Sequence, residues 1–376
     1  MSGKISVAMV GDLILDQPGP MEPYFEDITP VLQSIDIMGG HVETPHTDRT
    51  EPSCIDVQAP PSAPEHLDVL KGRFDVVSVA GNHSYDCGPN GIIDTIANLD
   101  RVGIPHCGTG ANIYEAKKPV FITEKGIKTG FLSYNLAGPS LGWAMSQKAG
   151  TNHVKVQTAY VPVRDMPAAP CKIYSWINPE DKEQLANEIK ELKAQCDVAV
   201  VFAHLGNGGD IPKLDQYEIE FTHHCIDCGA DIVFGHHHHV LKGIDIYKGK
   251  PIYHGLGNFV TVTYAMTAGY NDTPEMIAYL KQRAKEGRGG GHYKVDFYPW
   301  SEKSRLTGIA KVMVDKDGNC ENSFIPCYIE DSGKVVPKTR ENGGQDVFDF
   351  VVAQSVGANL TAKFEWNEEG TEILVK

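Results

Sequence analysis

Short apolar runs, four to six residues long and separated by polar turns, recur through the first 260 residues. Residues 5–10, 35–38, 74–79, 198–203 and 230–234 are such runs, bounded by turn-forming residues, and they predict buried strands. Between them the apolar period lengthens to that of a helix. Apolar residues at 92, 93, 96, 97 and 99 predict a helix over 91–101, stopped by Gly103. Pro179 with acidic residues in its first turn opens a helix over 179–195, and an amphipathic helix follows at 213–228. Shorter helices are expected over 24–34, just after Pro23, and over 64–71.

Residues 118–123 and 128–134 predict a hairpin across Lys125-Gly126, and 309–314 with 323–329 another over Asp317-Gly318. A second β-rich run covers 240–246. Residues 44–64 are rich in Pro, Thr, His and Ser and predict an exposed loop. Residues 137–178 show no clear period and suggest a lid or substrate-shaping loop. Beyond Phe259 the pattern loosens: a helix is expected at 273–285, a flexible glycine run at 287–291, and a helix with an edge strand after Gln345.

Strands alternating with helices predict an α/β fold. No repeat or low-complexity linker breaks the 376 residues. One domain over 1–332, with a C-terminal extension over 333–376 packed on it, is therefore the expected organisation. The chain carries 34 basic and 49 acidic residues, a net charge of -15, without a basic cluster. That excludes nucleic acid as a natural partner, because phosphate binding needs Lys and Arg. No run of about 18 apolar residues exists to span a membrane, and residues 1–10 do not form a secretory signal. The nine cysteines are odd in number and irregularly spaced, as expected of reduced thiols. The expectation is a soluble cytoplasmic protein.

Chemistry enters at the strand ends. Each predicted strand runs into a polar loop carrying metal-ligand types: Asp12, Glu43, Asn82 with His83, His204, and the run His236 to His239. In α/β folds the crevice beyond the carboxyl ends of the strands is where sites form. Histidine is the commonest neutral metal ligand, and four in a row inside the chain, between two strand-like segments, are not a terminal tag. A solvated histidine run is the alternative. Cys225-X-X-Cys228 beside His223 and His224 is read as helix packing, since no second ligand pair accompanies it.

The ordered set Gly11-Asp12, Glu43, Gly81-Asn82-His83-X-X-Asp86, His204-X-Gly206 and Gly235-X-His237-X-His239 resembles the calcineurin-like metallophosphoesterase superfamily. More narrowly it resembles the poly-γ-glutamate capsule-synthesis (PGA-cap) family, through Gly229 to Leu241 and Gly249 to Phe259. The resemblance implies a metallophosphoesterase-like four-layer α/β/β/α sandwich with a divalent metal centre of one or two ions, Mn, Fe or Zn. By position, Asp12 and His239 would bind the first ion, Glu43 would bridge, and Asn82, His204 and His237 would bind the second. His83, held by Asp86, would sit over the substrate and serve as the catalytic acid.

The chain departs from that pattern in two places. The superfamily commonly has histidine two residues after the first aspartate, where this chain has Ile14. His41 either fills the vacancy as a metal ligand or is a loop histidine. His238 stands where the family usually has proline. The implied activity is hydrolysis, by metal-activated water, of a phosphoester or a γ-glutamyl-type amide in a small-molecule or oligomeric anionic substrate. A non-catalytic accessory protein and a metal-dependent lyase remain alternatives. The sequence leaves the oligomeric state open.

Overall fold

The first strand, β1 (Ile5–Leu15), is buried along its whole length. Ile5, Val7 and Met9 enter a core shared with a second sheet, while Ala8 and Val10 enter one shared with helices. Both faces are apolar because both are covered, which is why the run does not alternate with polar residues. The computed structural model describes residues 3–49, 59, 61–166, 168–209, 211–263 and 300–376. The helix expected at 273–285 and the glycine run at 287–291 lie outside the described residues.

In the first sheet, β1 pairs in parallel with β2 (Ile37–Val42), which pairs with β3 (Val76–Ser78). Strands Leu306–Val314 and Cys320–Ile329 extend this sheet on the other side of β1, antiparallel, to ten strands among the described residues. The second sheet has six strands, centred on β4 (Ile127–Asn135), β5 (Val198–His204) and β6 (Ile232–His236), all parallel. Phe131, Phe202 and Phe234 from the second sheet meet Val7, Met9 and Ile37 from the first. Helix α1 (Gly88–Val102) covers the outer face of the first sheet through Leu99 and Val102. Helices α2 (Pro179–Lys193) and α3 (Gln216–Asp227) cover the second through Leu185, Ile189 and Phe221. The layer order is α/β/β/α. No helix among the described residues is long and apolar enough to cross a membrane.

Three stretches differ from the sequence expectation. The first strand does not stop at Val10. Met9 pairs with Gly39 but Asp12 with His41, so β1 holds one residue more than β2 between those pairs. This bulge shifts the side-chain phase: Ala8 and Val10 face the helical core before it, Leu13 and Leu15 after it. Without the bulge Asp12 would share the helix-side face with Val10. Gly11 makes the bend possible, since a Cβ there would lie 1.9 Å from the Gly257 carbonyl oxygen.

The helix expected over 24–34 is two short ones, Glu22–Phe25 and Thr29–Leu32, because Pro30 cannot continue a helix begun upstream. Within 137–178, strands Val156–Pro162 and Cys171–Ile177 form a hairpin anchored on α3 by Ile177 N–H donating to Glu220 Oε2 at 2.9 Å. Only its base is buried, so it shows no two-faced pattern.

The segment after residue 332 joins the same sheet through Val335–Pro337 and Ile373–Val375, both paired with Cys320–Ile329. Asp245 ties it to the second sheet, accepting from Thr361 N–H at 3.1 Å, Thr361 Oγ1 at 2.8 Å and His223 Nε2 at 3.0 Å. Burial raises its pKa, but these donors outweigh burial and hold it well below the usual carboxylate range. A depressed carboxylate contributes stability above its unfolded-state pKa and loses it as pH falls through and below about 4. Asp245→Ala is expected to cost about 2 kcal/mol at neutral pH. In urea titrations at pH 7 and at pH 3 the deficit should shrink at the lower pH.

Candidate metal centre

The bulge turns Asp12 into the crevice between the sheets, fully buried. Its Oδ2 accepts the His237 backbone N–H at 3.3 Å and lies 3.4 Å from His239 Nδ1, whereas Oδ1 has no hydrogen-bond partner. Glu43 follows β2, where its N–H donates to the Leu13 carbonyl at 3.2 Å. Neither of its buried carboxylate oxygens accepts a hydrogen bond, although His239 Nε2 stands 3.5 Å from one. Burial raises the pKa of both acids, that of Glu43 to about 7, and in Asp12 the Glu43 charge adds to it. Two desolvated carboxylates side by side are unfavourable unless a cation offsets them.

The turn after β3 is fixed by Ser84, whose Oγ donates to the Val79 carbonyl and accepts the Gly81 N–H. It sets Asn82 Oδ1 2.7 Å from His204 Nε2. Ligand atoms sharing an octahedral ion stand roughly 3 Å apart, so this pair is already at a ligating separation. His83 Nδ1 lies 2.7 Å from Asp86 Oδ2, which also accepts the Ala59 N–H at 2.6 Å. Burial alone would lower the His83 pKa. The carboxylates of Asp86, Glu43 and Asp12 overcome it and push the value up to about 9.

His204 ends β5, beside His236 at the end of β6. The histidine turn that follows is coiled, not extended: His237 has φ 95° and His239 has φ 56°. Two side chains in that region cost on the order of 1–3 kcal/mol each, so the surroundings must over-determine the turn. They do so through His238, whose Nε2 bonds Glu218 Oε2 at 2.8 Å with both groups buried. Glu218 also closes the capping box that starts α3. A buried hydrogen bond between His238 and Glu218 thus fixes the turn.

His236 and His238 are buried, and His237 and His239 are the half-buried pair that faces the crevice. His239 is oriented by Asn258, whose Oδ1 lies 2.8 Å from Nδ1, leaving Nε2 toward Glu43. That arrangement is the usual way a second residue sets the ligating nitrogen of a histidine.

The structure therefore brings Asp12, Glu43 and His239 into one group, and Glu43, His204 and His237 into another, with ligand atoms within 4.8 Å of one another in each. Asn82 adjoins the second through His204. His41 falls with Asp12, His204 and His236 instead. The unpartnered oxygens of Asp12 and Glu43 and the unpartnered His237 Nδ1 fit a divalent cation. No such group among the described residues includes Cys225 or Cys228. The candidate ligands come from both sheets: Asp12, Glu43 and Asn82 from one, His204, His237 and His239 from the other.

The family model for bacterial capsule synthesis protein PGA_cap matches residues 6–263. The chain belongs to this family. Among curated PGA_cap relatives it is 28% identical over 267 residues to the PGA biosynthesis protein CapA of Bacillus subtilis, covering 68% of this chain and 63% of that one. It is 27% identical to the capsule biosynthesis protein CapA of Bacillus anthracis, covering 68% and 60%. A probable polyglutamine synthesis accessory protein of Mycobacterium tuberculosis is 28% identical over 206 residues, covering 52% and 48%. The PGA_cap match thus spans about three fifths of the two Bacillus relatives' length. A solved phosphatase from Mycoplasma pneumoniae aligns with a TM-score of 0.48 at 13% identity, covering 93% of this chain and all of that one.

Proposed function

We propose that this PGA_cap protein is a metal-dependent hydrolase acting on a phosphoester or on a γ-glutamyl-type amide of an anionic small molecule or oligomer. Asp12, Glu43 and His239 would hold one ion and Glu43, Asn82, His204 and His237 the other. Mixed carboxylate, amide and imidazole donors suit Mn, Fe or Zn. Such ions supply Lewis-acid polarisation and a water acidified toward neutral pH. The chain's own residues do the rest. His83 stays protonated against Asp86, which fixes its ring orientation by accepting the Nδ1–H, and its Nε2–H is then available to the leaving group.

The observation that carries this reading is the His83–Asp86 pair. A site built only to hold a metal has no use for a partly exposed cationic histidine braced by a wholly buried aspartate. The accessory reading draws on the name of the Mycobacterium tuberculosis relative. Metal content by mass spectrometry, with turnover of nitrophenyl phosphoesters and γ-glutamyl nitroanilide, separates the two. Bound metal with metal-dependent turnover of either class supports the hydrolase. Bound metal with no turnover of either class, but affinity for poly-γ-glutamate, supports the accessory role.

A further inference from the structure

Behind the ligands facing the crevice lies an inner layer of imidazoles. His41 and His236 are both fully buried, stacked at 4.2 Å between ring centroids and 10° between planes. With Asp12 and His204 they bring ligand atoms within 4.8 Å of one another. Yet the stack rules out a further ion shared by those two rings. Ring-nitrogen lone pairs lie in the ring plane, and an ion in the plane of one ring sits a stacking distance out of the plane of the other. The layer has a different use.

His204 Nδ1 lies 3.3 Å from His236 Nδ1, while His204 Nε2 faces Asn82 Oδ1. Two ring nitrogens that close hold one proton between them. If His204 keeps it on Nδ1, its Nε2 is bare for a metal; if His236 keeps it, His204 Nε2 carries the hydrogen and cannot ligate.

We infer that His236 is a positioning residue: its Nδ1 accepts the Nδ1–H of His204, fixing the tautomer and ring angle at which His204 ligates. The inference rests on the metal-centre reading above. His41 braces His236 by the stack, and is itself pinned by Ser78, whose Oγ lies 3.1 Å from His41 Nδ1 and 2.8 Å from Ser133 Oγ. Gly81 leaves room for this layer, since a Cβ there would lie 3.0 Å from His41 Nε2.

The test compares His236→Leu with His236→Asn in the full chain, titrated with Co(II) and followed by visible absorption. Leucine fills the space but accepts nothing; asparagine Oδ1 can take the His204 Nδ1–H. His236→Leu should weaken the second equivalent by about 10- to 100-fold and alter its absorption bands, and His236→Asn should restore both. Wild-type behaviour in both variants, or equal damage in both, overturns the role. Should neither variant fold, ¹⁵N-histidine NMR of the zinc-loaded wild type decides. His204 protonated on Nδ1 and His236 on Nε2 supports the inference, and the reverse assignment overturns it. A wild type that binds no ion at all overturns the metal-centre reading itself, a result distinct from ions bound with the tautomers reversed.

Discussion

Glu43→Ala is expected to release both metal equivalents together while leaving the fold intact. Glu43 is the residue common to the two crevice-facing ligand groups, so its loss removes a donor from each. Its carboxylate is fully buried and accepts no hydrogen bond, so in the metal-free protein its removal loses the charge attraction to His83 but relieves its own burial and its repulsion of Asp12. The relieved desolvation offsets the lost attraction, and the metal-free variant should unfold at about the same urea concentration as metal-free wild type. Turnover should fall about a thousandfold, the rate equivalent of losing several kcal/mol of charge stabilisation at the reacting centre. Elemental analysis beside a urea titration checks both halves. Retention of two equivalents by the variant would refute the bridging assignment.

The second large effect is expected at His83. His83→Asn should lower kcat by about 10²- to 10⁴-fold, the usual worth of a positioned proton donor, with metal content unchanged. His83 joins neither crevice-facing ligand group, and its Nδ1 is committed to Asp86. Asp86→Asn should fall between wild type and His83→Asn, since the histidine remains but loses the charge that keeps it protonated. A leaving group that needs no proton, such as 4-nitrophenolate, should shrink the His83→Asn defect relative to a poor leaving group. An equal defect on both would remove His83 from the proton-donor role and leave it with substrate binding alone.

The polar loops that meet in the crevice were legible in the sequence because each one directly follows a short apolar run, and in parallel sheets that is where loops converge. What could not be read was orientation. A bulge has no composition of its own beyond a glycine, so Asp12 looked like the end of a strand that in fact continues for three residues. A run of four identical residues carries no period of its own. Its positive φ angles at His237 and His239 coil it, burying His236 and His238, and no composition signals that. Asn258 was singled out in Gly255-Leu-Gly-Asn-Phe259, but only its 2.8 Å approach to His239 shows what it does. Glu218 gave no signal, being one acid among several on an amphipathic helix, and its partner lies twenty residues away across a layer.

The candidate ligands come from two sheets that share an apolar core around Phe131, Phe202 and Phe234 and are joined also by polar contacts such as Ser78 with Ser133 and Tyr253 with Ser323. Ions held there would act as a clasp between the halves of the sandwich, and binding and folding would share one equilibrium. At free ion a hundredfold above the dissociation constant, each such ion adds about 2.7 kcal/mol to the apparent stability. The supply of metal around the protein would then set how long the chain survives as well as how fast it works, and a chelator would lower the urea concentration at which it unfolds.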